Sequence, residues 1–87
     1  MPIEAELLWI YPNPADDHLF IKLSDEAFSD IQASEVTIYD LYGKIRLVKK
    51  LEADQAVDVS SLQQGTYVIR LLQKDRVLVG RFIKLPD

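Results

Sequence analysis

The segment Tyr11-Pro12-Asn13-Pro14-Ala15 decides how the rest of this chain can fold. Each proline fixes its own φ at about −65°, has no N–H to donate, and restricts the residue before it to extended conformations. Neither a helix nor the middle of a paired strand can therefore run through this segment. The sequence predicts a stiff extended corner, in which Tyr11 anchors its ring on the domain and the prolines direct the chain into the next strand.

Short strands are predicted on both sides of this corner, because apolar and polar residues alternate there. The clearest alternation lies at residues 18–23. Residues 24–34 are polar and acidic and predict a loop, with Phe28 and Ile31 spaced for one helical turn. The predicted strands are residues 6–11, 18–23, 35–39, 45–51, 56–59, 66–72 and 77–85.

Two glycines mark special backbone positions in this pattern. The third and fourth predicted strands form a hairpin around Asp40-Leu41-Tyr42-Gly43-Lys44. The Asp40 side chain can cap such a turn, and Gly43 supplies the left-handed residue that the turn needs. Gly80 lies in the middle of the last predicted strand and indicates either a bulge or the close approach of another backbone.

A second corner is predicted at residues 60–65, where Ser60 caps one helical turn. Leu62 fills the core at this corner, and Gly65 ends it in a conformation that a side chain would resist. Tyr67 follows directly and suits the tyrosine corner of immunoglobulin-like domains. With no amphipathic helix, the sequence predicts an all-β fold: an immunoglobulin-like antiparallel β-sandwich of about seven short strands.

The composition limits the chemistry that this domain can perform. Its 87 residues contain no cysteine and one histidine, His18, which excludes disulfides and thiolate metal sites and disfavours a histidine metal centre. The acidic residues do not follow the spacing of a calcium loop, and there is neither a nucleophile elbow nor a phosphate-binding glycine pattern. We therefore expect no cofactor, no metal, no small-molecule substrate and no catalytic residue.

Acidic residues are concentrated in the first half of the chain. Residues 1–40 carry nine acidic side chains and one basic one, whereas residues 41–87 carry five acidic and nine basic ones. Such an asymmetry can steer a charged partner, or the two halves can mix once the chain has folded. An isoelectric point near 4.8 argues against a nucleic-acid partner. No apolar run is long enough to span a membrane, and no secretory signal peptide is predicted.

Three stretches and the closing strand together resemble one protein family. They are Tyr11-Pro12-Asn13-Pro14-Ala15 with the strand after it, residues 36–44, residues 57–69, and the closing Arg81-Phe82-Ile83-Lys84. In this order and spacing they are similar to the C-terminal sorting domain of cargo proteins of the type IX (Por) secretion system in Bacteroidetes. The likeness runs from residue 11 to residue 84.

The resemblance implies a role in protein export. Domains of this family are immunoglobulin-like sandwiches that direct a cargo from the periplasm through the outer-membrane translocon to the cell surface or the medium. A sortase usually cleaves just before the domain. Carried onto this chain, residues 11–87 are the sorting domain, and residues 1–10 are either a linker remnant of a larger parent or a true first strand. The implied partners are the translocon, the sortase and the covalently attached cargo, without nucleic acid.

The last strand is the expected sorting signal and the expected contact with the translocon. An edge strand presents unpaired N–H and C=O groups to which a partner strand can be added, and such an edge can also form a dimer. The candidate residues are Arg76, Arg81, Phe82, Ile83 and Lys84 in the signal strand, Tyr11, Pro12, Asn13 and Pro14 in the family's corner, and Asp40, Gly43, Leu62, Gly65 and Tyr67 in the structural turns.

Two other functions compete with sorting. A generic extracellular β-sandwich that binds carbohydrate or protein would show a row of exposed aromatic side chains on one face. Most of the eight aromatic residues are expected in the core or at corners, which favours the sorting domain. An enzyme would need a ligand-sized pocket with polar groups, and so small a domain rarely encloses one beside its core.

Overall fold

The computed structural model describes residues 6–22, 34–51, 54–73 and 76–86, and these residues form eight strands. Most of the predicted loop at 24–34, with Phe28 and Ile31, lies outside the described residues. The strands are β1 (Glu6–Leu7), β2 (Trp9–Tyr11), β3 (His18–Lys22), β4 (Glu35–Asp40), β5 (Ile45–Lys50), β6 (Ala56–Asp58), β7 (Gly65–Leu72) and β8 (Val77–Lys84).

These strands form two sheets around a shared hydrophobic core. The larger sheet has the order β1-β8-β7-β4-β5, and the smaller sheet has the order β2-β3-β6. All pairs are antiparallel except β1 with β8, which run parallel. The predicted all-β sandwich is therefore confirmed. The described residues contain eight strands instead of about seven, because residues 6–11 form two of them.

The prediction of one continuous strand at residues 6–11 is wrong. The first half of this segment pairs with β8 of the larger sheet, and the second half pairs with β3 of the smaller sheet. Leu8 is the point of transfer, since its N–H donates to the Val79 carbonyl at 2.9 Å and its side chain is buried. The segment therefore ties the two sheets together along one side of the sandwich.

Gly80 permits this close crossing. A Cβ atom added at Gly80 would lie 2.7 Å from Ile10 Cδ1 and 3.0 Å from the Leu8 carbonyl oxygen. The pairing of β8 with β7 continues without a register shift through this position. Of the two interpretations of Gly80, the close backbone approach is therefore correct and the bulge is wrong.

The core follows the alternation seen in the sequence. Leu19 and Ile21 of β3 are completely buried, and so are Ile69 and Leu71 of β7. The buried hydrophobic residues are Leu8, Ala15, Leu19, Ile21, Val36, Ile38, Leu51, Val57, Val59, Leu62, Tyr67, Ile69, Leu71, Leu78 and Phe82.

The hairpin turn after β4 is built around the Asp40 carboxylate, as predicted. Its Oδ1 atom accepts from the N–H groups of Tyr42 and Lys44 at 2.9 and 3.0 Å. The Asp40 carbonyl accepts from the Gly43 N–H at 3.0 Å, and Gly43 has a φ of 83°. The side chain and the backbone of one residue thus close the turn together.

Gly43 allows a test of this turn, because a Cβ atom there would meet nothing within 4 Å. Only its left-handed backbone opposes a side chain. We expect Gly43→Ala to lower the free energy of unfolding by about 1 kcal/mol. Gly43→Asn should lower it less, since asparagine tolerates this region. Urea denaturation measures both losses, and equal losses would contradict the assignment.

The corner at residues 60–65 is a turn, and its capping residue differs from the prediction. Ser60 does not cap a helix; its N–H donates to the Asp58 carboxylate at 2.9 Å, so the aspartate acts as the cap. The Leu62 N–H donates to the Val59 carbonyl at 3.0 Å, and the Leu62 side chain is buried as predicted.

Tyr67 forms the predicted tyrosine corner. Its hydroxyl donates to the Gln63 carbonyl, four residues upstream, at 2.6 Å. Gly65, between them, has a φ of 148°, which confirms the expected backbone conformation at the end of the corner. This bond fixes the entry of the chain into β7, the central strand of the larger sheet.

Candidate functional site

The last strand, β8, is not an edge of its sheet. β7 pairs with it along its full length, residues 77–84, and β1 pairs with it on the other side at Leu78 and Val79. The interpretation of β8 as an open edge for strand addition is therefore wrong. Among the described residues, the edges are β1 and β5 of the larger sheet and β2 and β6 of the smaller one.

The proline corner covers the other half of that side of β8. The Asn13 Nδ2 donates to the Arg81 carbonyl at 3.1 Å, and the Asn13 Oδ1 accepts from the Ile83 N–H at 3.0 Å. The Ala15 N–H donates to the Ile83 carbonyl at 2.7 Å, and the Ala15 carbonyl accepts from the Leu85 N–H at 2.8 Å. The Asn13 side chain thus takes the place of a strand backbone beside β8.

The corner is a bend at Pro12, Asn13 and Pro14, and not the extended corner that the prolines predict. The Tyr11-Pro12 and Asn13-Pro14 peptide bonds are both cis. Tyr11 stacks on Phe20 of β3 with ring centroids 5.5 Å apart, which confirms the predicted anchoring of its ring. The part played by the Asn13 side chain was not predicted. The available signal was a polar side chain held between two residues that cannot donate a backbone hydrogen bond.

Phe82 and Lys84, two of the candidate signal residues, are buried. Phe82 is completely enclosed and stacks on Tyr67 with ring centroids 5.6 Å apart. Lys84 is 1% exposed, and its Nζ donates to the Leu85 carbonyl at 2.8 Å. In the folded domain the charge of Lys84 is therefore not offered at the surface.

Arg81 and Ile83 alternate with these buried residues and point outward. Ile83 is 47% exposed and Arg81 is also exposed. Arg76, just before β8, is half-buried. A partner that contacts the folded domain can reach Arg81 and Ile83 on the outer face of the larger sheet.

Trp9 and Phe20 lie outside the core and the corners, whereas Tyr11 and Tyr42 lie at corners and Tyr67 and Phe82 are buried. Trp9, Tyr11 and Phe20 are 66%, 53% and 37% exposed and lie together on the outer face of the smaller sheet. Tyr42, in the hairpin turn, is 97% exposed. Large apolar side chains grouped on a surface commonly mark a binding face. The competing module that binds carbohydrate or protein would need such a row of exposed aromatic side chains.

Within the described ranges, no three histidine, cysteine, aspartate or glutamate side chains lie close enough together to hold a metal ion. His18 is exposed and stands opposite Asp58 in the pairing of β3 with β6. The same part of the chain contains no helix with the length and apolar character needed to cross a membrane.

Two aspartates at the turns have lowered pKa values. The Lys44 amide, followed by the Tyr42 amide and Arg46, stabilises the charged form of Asp40 and lowers its pKa below 3.8. The Ser60 hydroxyl and amide, with smaller contributions from His18 and Lys49, lower the pKa of Asp58 below 3.8. Both carboxylates therefore favour the folded state when they are ionised.

We expect acid to weaken the fold through these two groups. Because the folded pKa lies below the unfolded one, the stabilisation is complete above pH 3.8 and is lost as the pH falls through the lowered values. Urea denaturation between pH 2 and 6, about the range in which aspartates titrate, should show a smaller acid loss for the Asp40→Asn/Asp58→Asn variant than for the native chain. Asp16→Asn, at an exposed aspartate, is the control; an unchanged slope in the double variant would contradict the assignment.

The structure is a small β-sandwich in which the proline corner covers the free side of β8. Comparison with known proteins identifies the family to which such a domain belongs. The family model described as "secretion system C-terminal sorting domain" matches residues 9–85, which include the corner, both turns and β8. The chain belongs to this family of sorting domains.

A curated relative has the same segment within a longer chain. Beta-agarase D of Zobellia galactanivorans is 39% identical over 83 residues, which are 95% of this chain and 16% of the relative. The function predicted from the resemblance is thereby confirmed: the domain is a sorting signal of the type IX (Por) secretion system. Such a signal indicates export to the cell surface or the medium.

Proposed function

We propose that this domain is the non-catalytic tail of a larger cargo, which it leads from the periplasm through the outer-membrane translocon. The family match over residues 9–85 carries the proposal, because it spans both sheets and the covered last strand. The relative is named as a beta-agarase, so an enzyme of that kind is one cargo that such a tail would accompany. A sortase that removes the tail after export would act before β1, which begins at Glu6, and not throughout the residues 1–10 that the resemblance implies.

In this proposal the translocon contacts the outer face of β8 in the folded domain. No strand of the translocon pairs with β8. Both sides of the β8 backbone are engaged, by β7 on one side and by β1, Asn13 and Ala15 on the other. Arg81 and Ile83 supply an exposed cation and an exposed apolar side chain on that face. Arg76 is a third contact, whereas Phe82 and Lys84 hold the strand from within.

An export assay tests the sorting role. A fluorescent reporter is placed between a signal peptide and residues 1–87 in a bacterium with the type IX system, and extracellular reporter is compared with that of a translocon-null strain. We expect reporter outside the cell only when the translocon is present. Reporter held in the periplasm of both strains, with the domain shown to be folded, would refute the proposal.

Variants of the outer face test the proposed contact in the same assay. Arg81→Gln/Ile83→Ser removes the cation and the apolar side chain without touching the core. Val48→Ser/Lys50→Gln is the matched control, because both residues are exposed on β5 at the far side of the same sheet. We expect reduced export for the first pair and native export for the second. Equal export of the two variants would show that the translocon contacts a surface other than the outer face of β8.

A carbohydrate- or protein-binding module is the second candidate, and the exposed group Trp9, Tyr11 and Phe20 favours it. Its test is a glycan array probed with the native chain and with Trp9→Ala. If the native chain is retained on the array and the Trp9→Ala variant is not, the domain has a binding activity in addition to its sorting role. Translocon-dependent export without any retention would leave sorting alone.

A further inference from the structure

A polar groove lies between the hairpin turn at residues 40–44 and the corner at residues 60–65. It consists of two adjoining hollows of about 310 Å³ and 220 Å³, which share Arg46, Gln63 and Tyr67 among their lining residues. Ligand pockets commonly measure about 300–1,000 Å³, so these hollows suit one or two side chains and not a large cofactor.

Arg46 is held in this groove by Asp40. The Arg46 Nε donates to the Asp40 Oδ2 at 3.1 Å, and the side chain of the arginine is 43% exposed, compared with 15% for that of the aspartate. Asp40 is itself fixed, because its other oxygen accepts from the amides of Tyr42 and Lys44. The guanidinium is thus oriented through Nε, and within the part of the chain that the structure describes its two terminal nitrogens make no hydrogen bond and are available to a ligand.

The other side chains that line the groove are either held by hydrogen bonds or exposed to a ligand. The Tyr67 hydroxyl is bonded to the Gln63 carbonyl, so the wall formed by the corner is rigid. Ser61 adds a hydroxyl to the larger hollow. Leu41 and Tyr42 line the smaller hollow and are 64% and 97% exposed, so neither side chain contributes to the core. Exposed aromatic and apolar groups beside an arginine are typical of binding sites for peptides.

We propose that this groove binds an extended peptide through the carboxylate of an aspartate or glutamate side chain. A guanidinium presents parallel N–H groups that match the two oxygens of a carboxylate. The ionised Asp40 offsets part of the Arg46 charge and repels a doubly charged phosphate more than a singly charged carboxylate, so the hydrogen bonds from the guanidinium supply the attraction. Leu41 and Tyr42 contact the apolar neighbours of the acidic residue. The proposal does not depend on the sorting role, since it concerns a different surface.

NMR titration of the ¹⁵N-labelled 87-residue chain tests this site. The probe is N-acetyl-Leu-Glu-Leu-amide, and the matched control is the same peptide with glutamine in place of glutamate. We expect shift changes centred on Arg46, Tyr42 and Gln63, and binding about tenfold or more weaker for the glutamine peptide. Equal binding of the two peptides, or shifts centred elsewhere, would overturn the proposal.

Variants of the protein assign the binding to the arginine. Arg46→Gln should weaken the glutamate peptide about tenfold or more, while Lys22→Gln, an exposed cation on β3, should not change it. If Arg46→Gln fails to fold, Arg46→Lys is the second variant. It keeps the charge but lacks the parallel N–H groups of the guanidinium, so it should still weaken binding. Unchanged affinity in the folded Arg46 variant would overturn the assignment. Binding of glucuronate without binding of the peptide would overturn it too, in favour of a sugar acid.

Discussion

Replacing Phe82 with alanine is expected to remove a large part of the stability of this domain. Phe82 is completely buried and stacked on Tyr67, so the substitution leaves a cavity between the sheets. Loss of a buried phenyl group costs about 3–5 kcal/mol. A domain of this size has a total free energy of unfolding of about 5–10 kcal/mol. Urea denaturation followed by circular dichroism measures the loss.

Ile83→Ala is the matched control, because Ile83 is the next residue of the same strand and is 47% exposed. We expect it to lower the free energy of unfolding by less than about 1 kcal/mol. A one-residue shift in register would exchange the two faces of β8 and reverse the order of these losses. Similar losses for both variants would therefore contradict the pairing of β8 described above.

Asn13→Ala is expected to have the second largest effect. It removes the bonds to the Arg81 carbonyl and the Ile83 N–H, and each such bond contributes about 0.5–1.5 kcal/mol. The total loss should be about 1–3 kcal/mol in urea denaturation. Unpaired backbone groups on β8 should also promote self-association, because an open strand edge is a template for pairing. Size-exclusion chromatography over a range of concentrations measures this second effect.

Asn13→Asp separates the two bonds of the asparagine side chain. The carboxylate keeps an acceptor for the Ile83 N–H but has no donor for the Arg81 carbonyl. We expect a monomeric domain with a loss of stability comparable to that of Asn13→Ala, because the carboxylate also faces a carbonyl oxygen. Native stability in both variants would show that Asn13 does not close the edge.

Much of the fold could be predicted because it depends on local patterns. The alternation in β3, β7 and β8, the Asp40 turn and the Tyr67 corner are each determined by residues close in sequence. Lys84 could have been placed in the interior as well, since it follows Phe82 by two positions and so shares its face. Burial of a lysine is rare, so residue type and alternation give opposite predictions at this position.

The remaining features depend on contacts between distant parts of the chain. The run of apolar residues at 6–11 carries no signal for the change of sheet at Leu8, which is set by β8. The outward position of Trp9 is likewise decided by which face of the smaller sheet meets the larger one. The function of Asn13 appears only when the corner lies beside Arg81, 68 positions later. These relations are non-local, so the periodicity of one segment does not reveal them.

Hydrogen exchange of the Ile83 amide in the native chain is the most direct test of the closed last strand. By alternation, the amide of Phe82 faces β7, while that of Ile83 donates to Asn13 Oδ1 at 3.0 Å. We predict that both amides are protected from exchange, and that Asn13→Ala removes the protection of Ile83 alone. An Ile83 amide that exchanges freely in the native domain, beside a protected Phe82 amide, would contradict this account and restore β8 as an edge open to strand addition.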